Sequence, residues 1–445
     1  MMSSATRLPR ALRPFAGGRY RLLAGALALS LMGGGVWVVT LVAAVWAAGG
    51  TPSDLSLIMT GNAVGMVIAV LFGGALADRL PQQRILAVVE ASRVVVAAVV
   101  GVLAATGALQ VWQLAIAGGA IGLIEGVFYP AYSALLPRIV PAEQLLAANG
   151  IEGTLRPVAY QAAGPALGGL VVAVASPAVA FWVVAASQLL ALLLLLGLRR
   201  LPAAERAAAA GAAPARGGIL GDIGRGFGYL VRTPWLLGTL IYASAVVLLI
   251  MGPLEVLMPF AVRDQTGGGT AEFALVLAAF GVGAAVGSLT VASLRLPRRY
   301  LTVMNLMWCA GCIPLVVMGF VDRLWMMVVA AFLIGVLTDG ANVIWGTILQ
   351  RRVPPEMLGR VSSLDFFVSL ALMPVSMAIA GPVGEAVGFP AVFLVAGLAP
   401  ILVGLVAVLA FRMPRDELAH PLTGEAAEIE PESQETLGPS APIHG

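Results

Sequence analysis

The sequence V-P-A-E-Q-L at Val140 to Leu145 ends one long apolar stretch, and V-P-P-E-M-L at Val353 to Leu358 ends another. The second copy begins 213 residues after the first, which is nearly half of the 445-residue chain. The two copies therefore occupy equivalent places, and the second half of the chain repeats the first. Duplicated membrane bundles of this kind are typical of secondary transporters, whose binding site lies between the repeats near the middle of the bilayer.

The composition indicates a protein surrounded by lipid. Hydrophobic residues make up 60% of the chain and charged residues 11%, against roughly 25% charged residues in soluble proteins. Crossing a hydrocarbon core of about 30 Å takes roughly 20 helical residues. Apolar runs of that length predict twelve spans, which we place near residues 21-46, 54-77, 85-105, 108-133, 145-174, 177-198, 235-262, 270-293, 300-320, 325-349, 360-386 and 389-411. Helices are predicted because the runs lack strict alternation and lipid requires each segment to satisfy its own backbone polar groups.

The basic residues predict the orientation of the spans. All 26 are arginines, and nearly all precede the first span or follow even-numbered spans, such as Arg138 after the fourth. Only Arg263 and Arg323 fall on the other side. By the positive-inside rule, both termini and the mid-chain loop are expected to be cytoplasmic. A chain with no lysine and abundant Ala, Gly and Arg indicates a GC-rich prokaryotic genome, and hence a bacterial plasma (inner) membrane.

The spans and loops predict five regions. These are a basic cytoplasmic N-terminus at 1-20, a six-helix bundle at 21-198, a cytoplasmic linker at 199-234, a second six-helix bundle at 235-412 and an acidic cytoplasmic tail at 413-445. The tail combines glutamates with Pro and Ser, a composition typical of disorder.

Ionisable residues within the spans are costly in lipid and mark candidate functional positions. Glu90 and Arg93 are three residues apart, and Glu152 and Arg156 are four apart, so each pair lies on one helix face and can form an ion pair. We interpret the first pair as structural. For the second pair, structural and functional roles are equally open.

Other intramembrane acids have no such partner. Glu255 and Asp339 have no arginine within their own spans, and Asp365 has only Arg360 at the edge of its span. Acids of this kind are candidates to bind and release protons during transport. Asp365 lies near the start of its span, where a solvated role is favoured.

The segment G-A-L-A-D-R-L-P-Q-Q-R, Gly74 to Arg84, joins the second span to the third. Gly74 allows close helix approach, and Asp78 is placed to cap or pair with a neighbouring helix end. The segment resembles the Gly-x-x-x-Asp-Arg signature of the major facilitator superfamily. In that family the signature forms a cytoplasmic latch that helps to set the outward-open state, which implies a latch at Gly74, Asp78, Arg79 and Arg84 here.

The element Gly164-Pro165-x-x-Gly168-Gly169 in the fifth span, with Leu136-Pro137 and Gln350 to Pro354, resembles the drug and siderophore exporter branch of the same superfamily. It is similar to the antiporter motif of that branch, which is thought to hinder leak through the carrier. Tyr160 occupies a position where the fuller motif has glycine. Pro165 removes a backbone donor and bends the helix, so a purely structural kink remains the alternative.

The resemblance implies an all-α membrane protein with twelve transmembrane helices in two pseudo-symmetric six-helix bundles, the major facilitator fold. Spans one, four, seven and ten of that fold line a central cavity, which favours Glu125, Glu255 and Asp339 as proton-coupling residues. Aromatic residues deep in these spans are then within reach of a ligand, with ordinary helix packing as the alternative; they are Trp37, Tyr129 and Trp345.

Other classes of function are disfavoured. No G-x-x-x-x-G-K-[ST] motif occurs, so nucleotide-driven transport is not expected. The Cys309-x-x-Cys312 spacing lies within an apolar span and has no histidine near it in sequence, so neither a metal nor a cofactor is expected. Enzymatic activity and nucleic-acid binding are not expected either.

The sequence therefore predicts a secondary transporter that exports a small apolar or amphipathic organic compound, a drug or siderophore, by proton antiport with alternating access. Its partners would be the organic substrate, protons and the lipid bilayer, and one chain is expected to be functional as a monomer. Two alternatives stay open, a nutrient or metabolite symporter or facilitator of the same fold, and a membrane scaffold or sensor that transports nothing.

Overall fold

The structure is a computed structural model that describes residues 9–198 and 219–422, with the backbone alone at 10–11, 71–79, 142, 146, 219–223, 355–356 and 359–360. Within these ranges the chain forms helices and contains no strand. The first six spans are Gly18–Ala47, Pro52–Arg79, Gln82–Ala105, Val111–Ile139, Leu145–Leu155 continued by Arg156–Ala163 and Gly164–Val174, and Pro177–Leu196. The next six are Pro234–Gly252 continued by Pro253–Leu257 and Met258–Thr266, Thr270–Ser293, Tyr300–Phe320, Leu324–Arg352, Pro355–Ala371 continued by Met373–Val387, and Phe389–Ala410.

We number these stretches span 1 to span 12. All twelve are long and apolar enough to cross a membrane, which confirms the predicted number. Outside the spans, the described residues also form two short α-helices, the linker helix Ile219–Arg232 and the terminal helix Met413–Ala419, and two 3-10 helices, Arg10–Ala16 and Ala142–Gln144. Span 4 runs to Ile139, six residues past its predicted end, and Arg138 in its last turn donates to Gln82 at the start of span 3 (2.8 Å).

Short connections make consecutive spans antiparallel within each half. The end of span 11 meets the start of span 2 through Gly381 and Ser56, so in both halves odd-numbered spans begin and even-numbered spans end at one face of the bundle. We call this the arginine-rich face, since Arg84, Arg138 and Arg351 lie there, and we call the opposite end the far face.

Close helix contacts repeat between the two halves. In the first half, a methyl group added to Gly122 of span 4 would overlap the backbone of Asn62 in span 2. In the second half, a methyl group added to Gly287 of span 8 would overlap the backbone of Val336 in span 10. Small residues let membrane helices approach in this way, and the equivalent pairs show the internal repeat at the level of packing.

The halves share one hydrophobic core near the far face. It joins Val45 of span 1 to Phe260 and Phe273 of spans 7 and 8, and Trp46 packs edge-on against Phe260 with ring centroids 6.2 Å apart. Toward the arginine-rich face each half has a core of its own. The first includes Tyr20, Leu86 and Tyr132, and the second includes Trp235, Tyr300 and Met413.

Hydrogen bonds also join the halves at the far face. The Ser53 amide at the start of span 2 donates to Glu385 Oε1 of span 11 (2.9 Å), and the Gly381 amide of span 11 donates to Ser56 Oγ (2.7 Å). Packing and hydrogen bonding therefore hold the two bundles together at the far face.

The start of the tail differs from its predicted disorder. Glu417 in the terminal helix is fully buried and accepts hydrogen bonds from the Leu301 amide (2.8 Å), the Thr302 amide (3.0 Å) and the Thr302 hydroxyl (2.6 Å). Asp416 pairs with Arg352 at the end of span 10. These contacts order residues 413–422, and the rest of the tail lies outside the described residues.

Candidate functional site

A charged network lies inside the first half. Arg93 Nη1 of span 3 lies 3.4 Å from Glu90 Oε1, and Ser30 Oγ of span 1 bridges them, donating to Glu90 (2.7 Å) and accepting from Arg93 (2.7 Å). The Glu90 side chain is 1% exposed and that of Arg93 is 10% exposed. Glu90 Oε2 is buried without a hydrogen-bond partner among the described residues. The spacing-based pairing of Glu90 with Arg93 is therefore present, with a third residue that sequence reasoning missed.

Arg93 also reaches toward Glu125 of span 4. Its Nη2 lies 3.8 Å from Glu125 Oε1, and its guanidinium lies over the Phe128 ring at 5.1 Å from the centroid. The Glu125 side chain is 28% exposed, so one arginine joins a fully buried carboxylate to a partly accessible one. From span 6, the Gln188 side-chain amide donates to the Ser30 carbonyl (3.3 Å) and completes the network.

A cavity of about 470 Å³ lies between spans 4 and 5, in the part of the first half next to the arginine-rich face. Its lining is Tyr129, Ser133, Leu136, Pro137, Leu145, Asn149, Glu152, Gly153 and Arg156. Tyr129, predicted to contact a ligand, is 49% exposed and lines this space.

The other two predicted cavity aromatics lie elsewhere. Trp37 is 7% exposed and packs against Phe181 of span 6 with centroids 5.4 Å apart, so in this conformation it belongs to the interior of the first half. Trp345 lies between Trp235 and Trp308, and its indole N–H donates to Asp365 (3.2 Å). In both cases helix packing, the alternative left open by the sequence, describes the surroundings.

Glu152 and Arg156 both line the cavity, but neither forms an ion pair within 4 Å among the described residues. The guanidinium of Arg156 lies instead over the Tyr129 ring, 5.5 Å from its centroid. The pair that the i,i+4 spacing allows is therefore not formed within 4 Å, at a point where span 5 passes from α-helix at Leu155 to π-helix at Arg156. Such pairs are also weak, at about 0.2–0.5 kcal/mol.

Three acids of the second half, Glu255, Asp339 and Asp365, have no arginine within 4 Å among the described side chains. Glu255 is exposed, lies in the π-helical stretch Pro253–Leu257 of span 7, and is within electrostatic range of Tyr160 in span 5. Asp339 is half-buried, and no described residue hydrogen-bonds to it. Asp365, favoured as a solvated residue, is half-buried against Trp345.

The glycine-proline element of span 5 is a close-packing surface. Gly164, Pro165, Gly168 and Gly169 are all buried. A methyl group added to Gly164 would lie 2.7 Å from the Gly35 Cα of span 1, and one on Gly168 would lie 3.2 Å from the Val36 Cα. Gly169 meets Ala274 of span 8, so the same surface also contacts the second half.

Tyr160, the departure from the glycine of the fuller motif, is accommodated by span 1. A methyl group added to Gly34 would lie 2.9 Å from Tyr160 Cε2. The glycines of span 1 therefore leave room for the tyrosine ring.

The predicted latch is described only in part. Gly74, Asp78 and Arg79 lie in the last turns of span 2, where the side chains are outside the described residues. Arg84, on the first turn of span 3, is exposed.

Among the described residues, no group of three or more His, Cys, Asp or Glu side chains is close enough to hold a metal ion. Cys309 and Cys312 are free thiols, and Cys309 Sγ lies 3.2 Å from the Tyr242 hydroxyl.

Comparison with known proteins adds sequence and fold relationships. A family model described as transmembrane secretion effector matches residues 10–438. The chain is 27% identical over 391 residues to the multidrug efflux pump Tap of Mycolicibacterium fortuitum, covering 86% of this chain and 93% of that protein. It is 28% identical over 315 residues to the enterobactin exporter EntS of Shigella boydii, and the match covers 70% of this chain and 71% of that protein.

Solved structures show the same fold at low sequence identity. The nucleoside transporter NupG matches with a TM-score of 0.70 at 12% identity, over 89% of this chain and 99% of that chain. The chain also matches a bacterial homolog of the human lysosomal transporter Spinster in an inward-facing and unoccupied conformation. The TM-score is 0.61 at 16% identity, and the match covers 91% of this chain and 99% of that chain.

Proposed function

The chain belongs to the transmembrane secretion effector family of the major facilitator superfamily, and from that premise we propose that it exports a small apolar or amphipathic organic compound in exchange for protons. Its relatives Tap and EntS are a multidrug efflux pump and an enterobactin exporter, which supports export of a drug or siderophore. Both repeats lie on one chain, so one chain provides a whole transport path and the proposed functional unit is a monomer.

The observation that carries this proposal is the asymmetry between the two faces. The bundles share a core at the far face and have separate cores at the arginine-rich face, where the 470 Å³ cavity lies. The positive-inside rule places the arginine-rich face, both termini and the linker in the cytoplasm of a bacterial cell. On this proposal the cavity lies on the cytoplasmic side, where an exporter takes up its substrate.

Proton coupling is assigned to the network around Arg93. With Glu125 ionised, Arg93 is shared between Glu125 and the buried Glu90. A proton on Glu125 removes one of these attractions and leaves Arg93 with Glu90 and Ser30. Substrate and proton each change the stability of this arrangement, and a ligand shifts a conformational equilibrium only by its difference in affinity for the two states.

The unpaired acids Glu255 and Asp339 would carry protons on the second half. In the alternating-access cycle, the bundles separate at the far face and close at the arginine-rich face. The latch at Gly74, Asp78, Arg79 and Arg84 would stabilise the closed cytoplasmic side. The buried surface of Gly164, Pro165, Gly168 and Gly169 would keep spans 1, 5 and 8 tightly packed against leak.

The test uses everted membrane vesicles, whose outer surface is the cytoplasmic face. An exporter should accumulate a fluorescent drug when the vesicle interior is acid. Glu125→Gln and Asp339→Asn should each lose this gradient-driven accumulation while retaining exchange of labelled for unlabelled drug without a gradient. Asp322→Asn, at an acid whose side chain is 83% exposed, is the matched control and should behave as the parent.

Two outcomes would overturn the proposal. Accumulation only when the interior is alkaline would favour the symporter of the same fold. Full gradient-driven export in both variants would remove these two acids from the coupling mechanism.

A further inference from the structure

We propose that the cavity between spans 4 and 5 binds amphoteric compounds, organic molecules that carry a cationic and an anionic group a few ångströms apart. This inference rests on the proposed export function and specifies which chemical class the exporter takes up at its cytoplasmic side.

The two charges of the cavity are opposite in sign and close together. Glu152 and Arg156 are separated by four residues of one helix, or about 6 Å along its axis, and both side chains line the cavity. As described above, neither has an ion-pair partner within 4 Å in the described chain. The two groups are within electrostatic range of each other, but neither is held in a direct ion pair, so the cavity presents a carboxylate and a guanidinium to whatever occupies it.

Each charge of the cavity has its own neighbours. Arg156 lies over the ring of Tyr129, an arrangement in which a cation is attracted to the aromatic face. Glu125 of span 4 already has Arg93 beside it. The other lining side chains are apolar or neutral, among them Asn149 and Ser133.

Charges at this depth of a membrane protein are costly unless something compensates them. A bound molecule with one group of each sign would compensate both residues at once. A molecule with a single positive charge would pair with Glu152 and meet repulsion from Arg156, and a single negative charge would have the reverse problem. The size is suitable, since ligand cavities commonly measure about 300–1,000 Å³.

The other intramembrane arginine of the first half shows the contrast. The Arg93 side chain is 10% exposed and has Ser30, Glu90 and Glu125 around it. Arg156 is exposed and lies over an aromatic ring, and Glu125 and Glu152 are within its electrostatic range but beyond 4 Å. Arg93 is thus satisfied within the protein, whereas Arg156 is available to a ligand.

The test measures binding of two dyes to the purified full-length protein by fluorescence polarisation. Rhodamine 110 carries a free carboxylate and a cationic ring system, and rhodamine 123 is its methyl ester with the cation alone. The parent should bind rhodamine 110 more tightly, by about 10- to 100-fold, the value of one hydrogen bond to a charged group.

The two cavity residues should affect the dyes differently when they are replaced. Arg156→Gln should weaken the binding of rhodamine 110, so that the ratio of the affinities for the two dyes falls to about one. Arg156→Lys should keep the preference for rhodamine 110. Glu152→Gln should weaken both dyes. Arg323→Gln and Glu143→Gln, exposed residues outside the cavity, are the controls and should leave both affinities unchanged.

The comparison is made within each variant, so a loss of folded protein lowers the signal of both dyes without altering their ratio. Equal affinity of the parent for the two dyes, absence of binding of either dye, or a preference that survives Arg156→Gln would overturn the inference. If any of these is found while gradient-driven export persists in vesicles, the exporter assignment stands and only the ligand class is wrong.

Discussion

Replacing Arg93 by glutamine should destabilise the folded protein by about 3–5 kcal/mol, the usual cost of removing one partner from a buried ion pair. The value applies without a discount for solvent, because the Glu90 side chain is 1% exposed and that of Arg93 is 10% exposed. Glutamine leaves Glu90 ionised or unsatisfied in the interior, and it also removes the guanidinium from the Phe128 ring.

A second substitution should reverse most of this loss. Glu90→Gln combined with Arg93→Gln replaces the ion pair by two neutral amides, and a buried pair replaced as a unit is often close to neutral in stability. The double-mutant cycle should therefore give a coupling free energy of about 2 kcal/mol or more. Glu125→Gln alone should cost less, because that carboxylate is 28% exposed and lies 3.8 Å from Arg93.

The measurement is unfolding of the purified protein in mixed micelles by sodium dodecyl sulfate, followed by tryptophan fluorescence and repeated as refolding. Arg93→Gln should unfold at the lowest detergent fraction, Glu90→Gln and the double variant at intermediate fractions, and the parent at the highest. An Arg93→Gln midpoint equal to that of the parent, or a double variant less stable than Arg93→Gln, would refute the reasoning.

Three further perturbations test the packing. Gly122→Ala should overlap the neighbouring backbone of span 2 and destabilise by about 1–3 kcal/mol, whereas Gly119→Ala on the same helix has 3.7 Å of clearance and should melt as the parent does. Glu417→Gln weakens the acceptor of three hydrogen bonds and should cost about 1–3 kcal/mol; an unchanged melting temperature would show that the terminal helix is held by other contacts. Glu385→Gln should weaken the far-face hydrogen bond from the Ser53 amide. In a protein with both native cysteines replaced and a cysteine introduced at Ser53, Glu385→Gln should make that cysteine react severalfold faster with an impermeant maleimide. The same rate with and without Glu385→Gln would contradict this.

The twelve spans were predictable because each is an uninterrupted apolar run, and lipid leaves the backbone of such a run little choice but a helix. The pairing of Glu90 with Arg93 was also accessible, since a three-residue spacing defines a helix face. The same spacing rule allows a pair between Glu152 and Arg156, but these two side chains are not within 4 Å of each other. The widening of span 5 at Arg156 has no signature as simple as a spacing, and it changes which side chains face one another.

Residues brought together from distant parts of the chain were missed. Ser30 is 60 residues from Glu90, and Gln188 is 158 residues from Ser30. Neither has a local pattern that distinguishes it from other small polar residues in apolar helices. Glu417 was assigned to a disordered tail for a related reason, since its partners are backbone and hydroxyl groups at the start of span 9.

The π-helical stretches of spans 5 and 7 would let part of each helix rotate relative to the rest. Conversion of the π-helical turn at Pro253–Leu257 into regular α-helix would shift the register of everything after it by one residue, which corresponds to a turn of about 100° about the helix axis. Side chains after that point would then contact different neighbouring helices, while the rest of the bundle stays in place. Rotation of part of one helix would thus be added to the rocking of whole bundles. Glu255 lies in the π-helical stretch of span 7, where that rotation would begin.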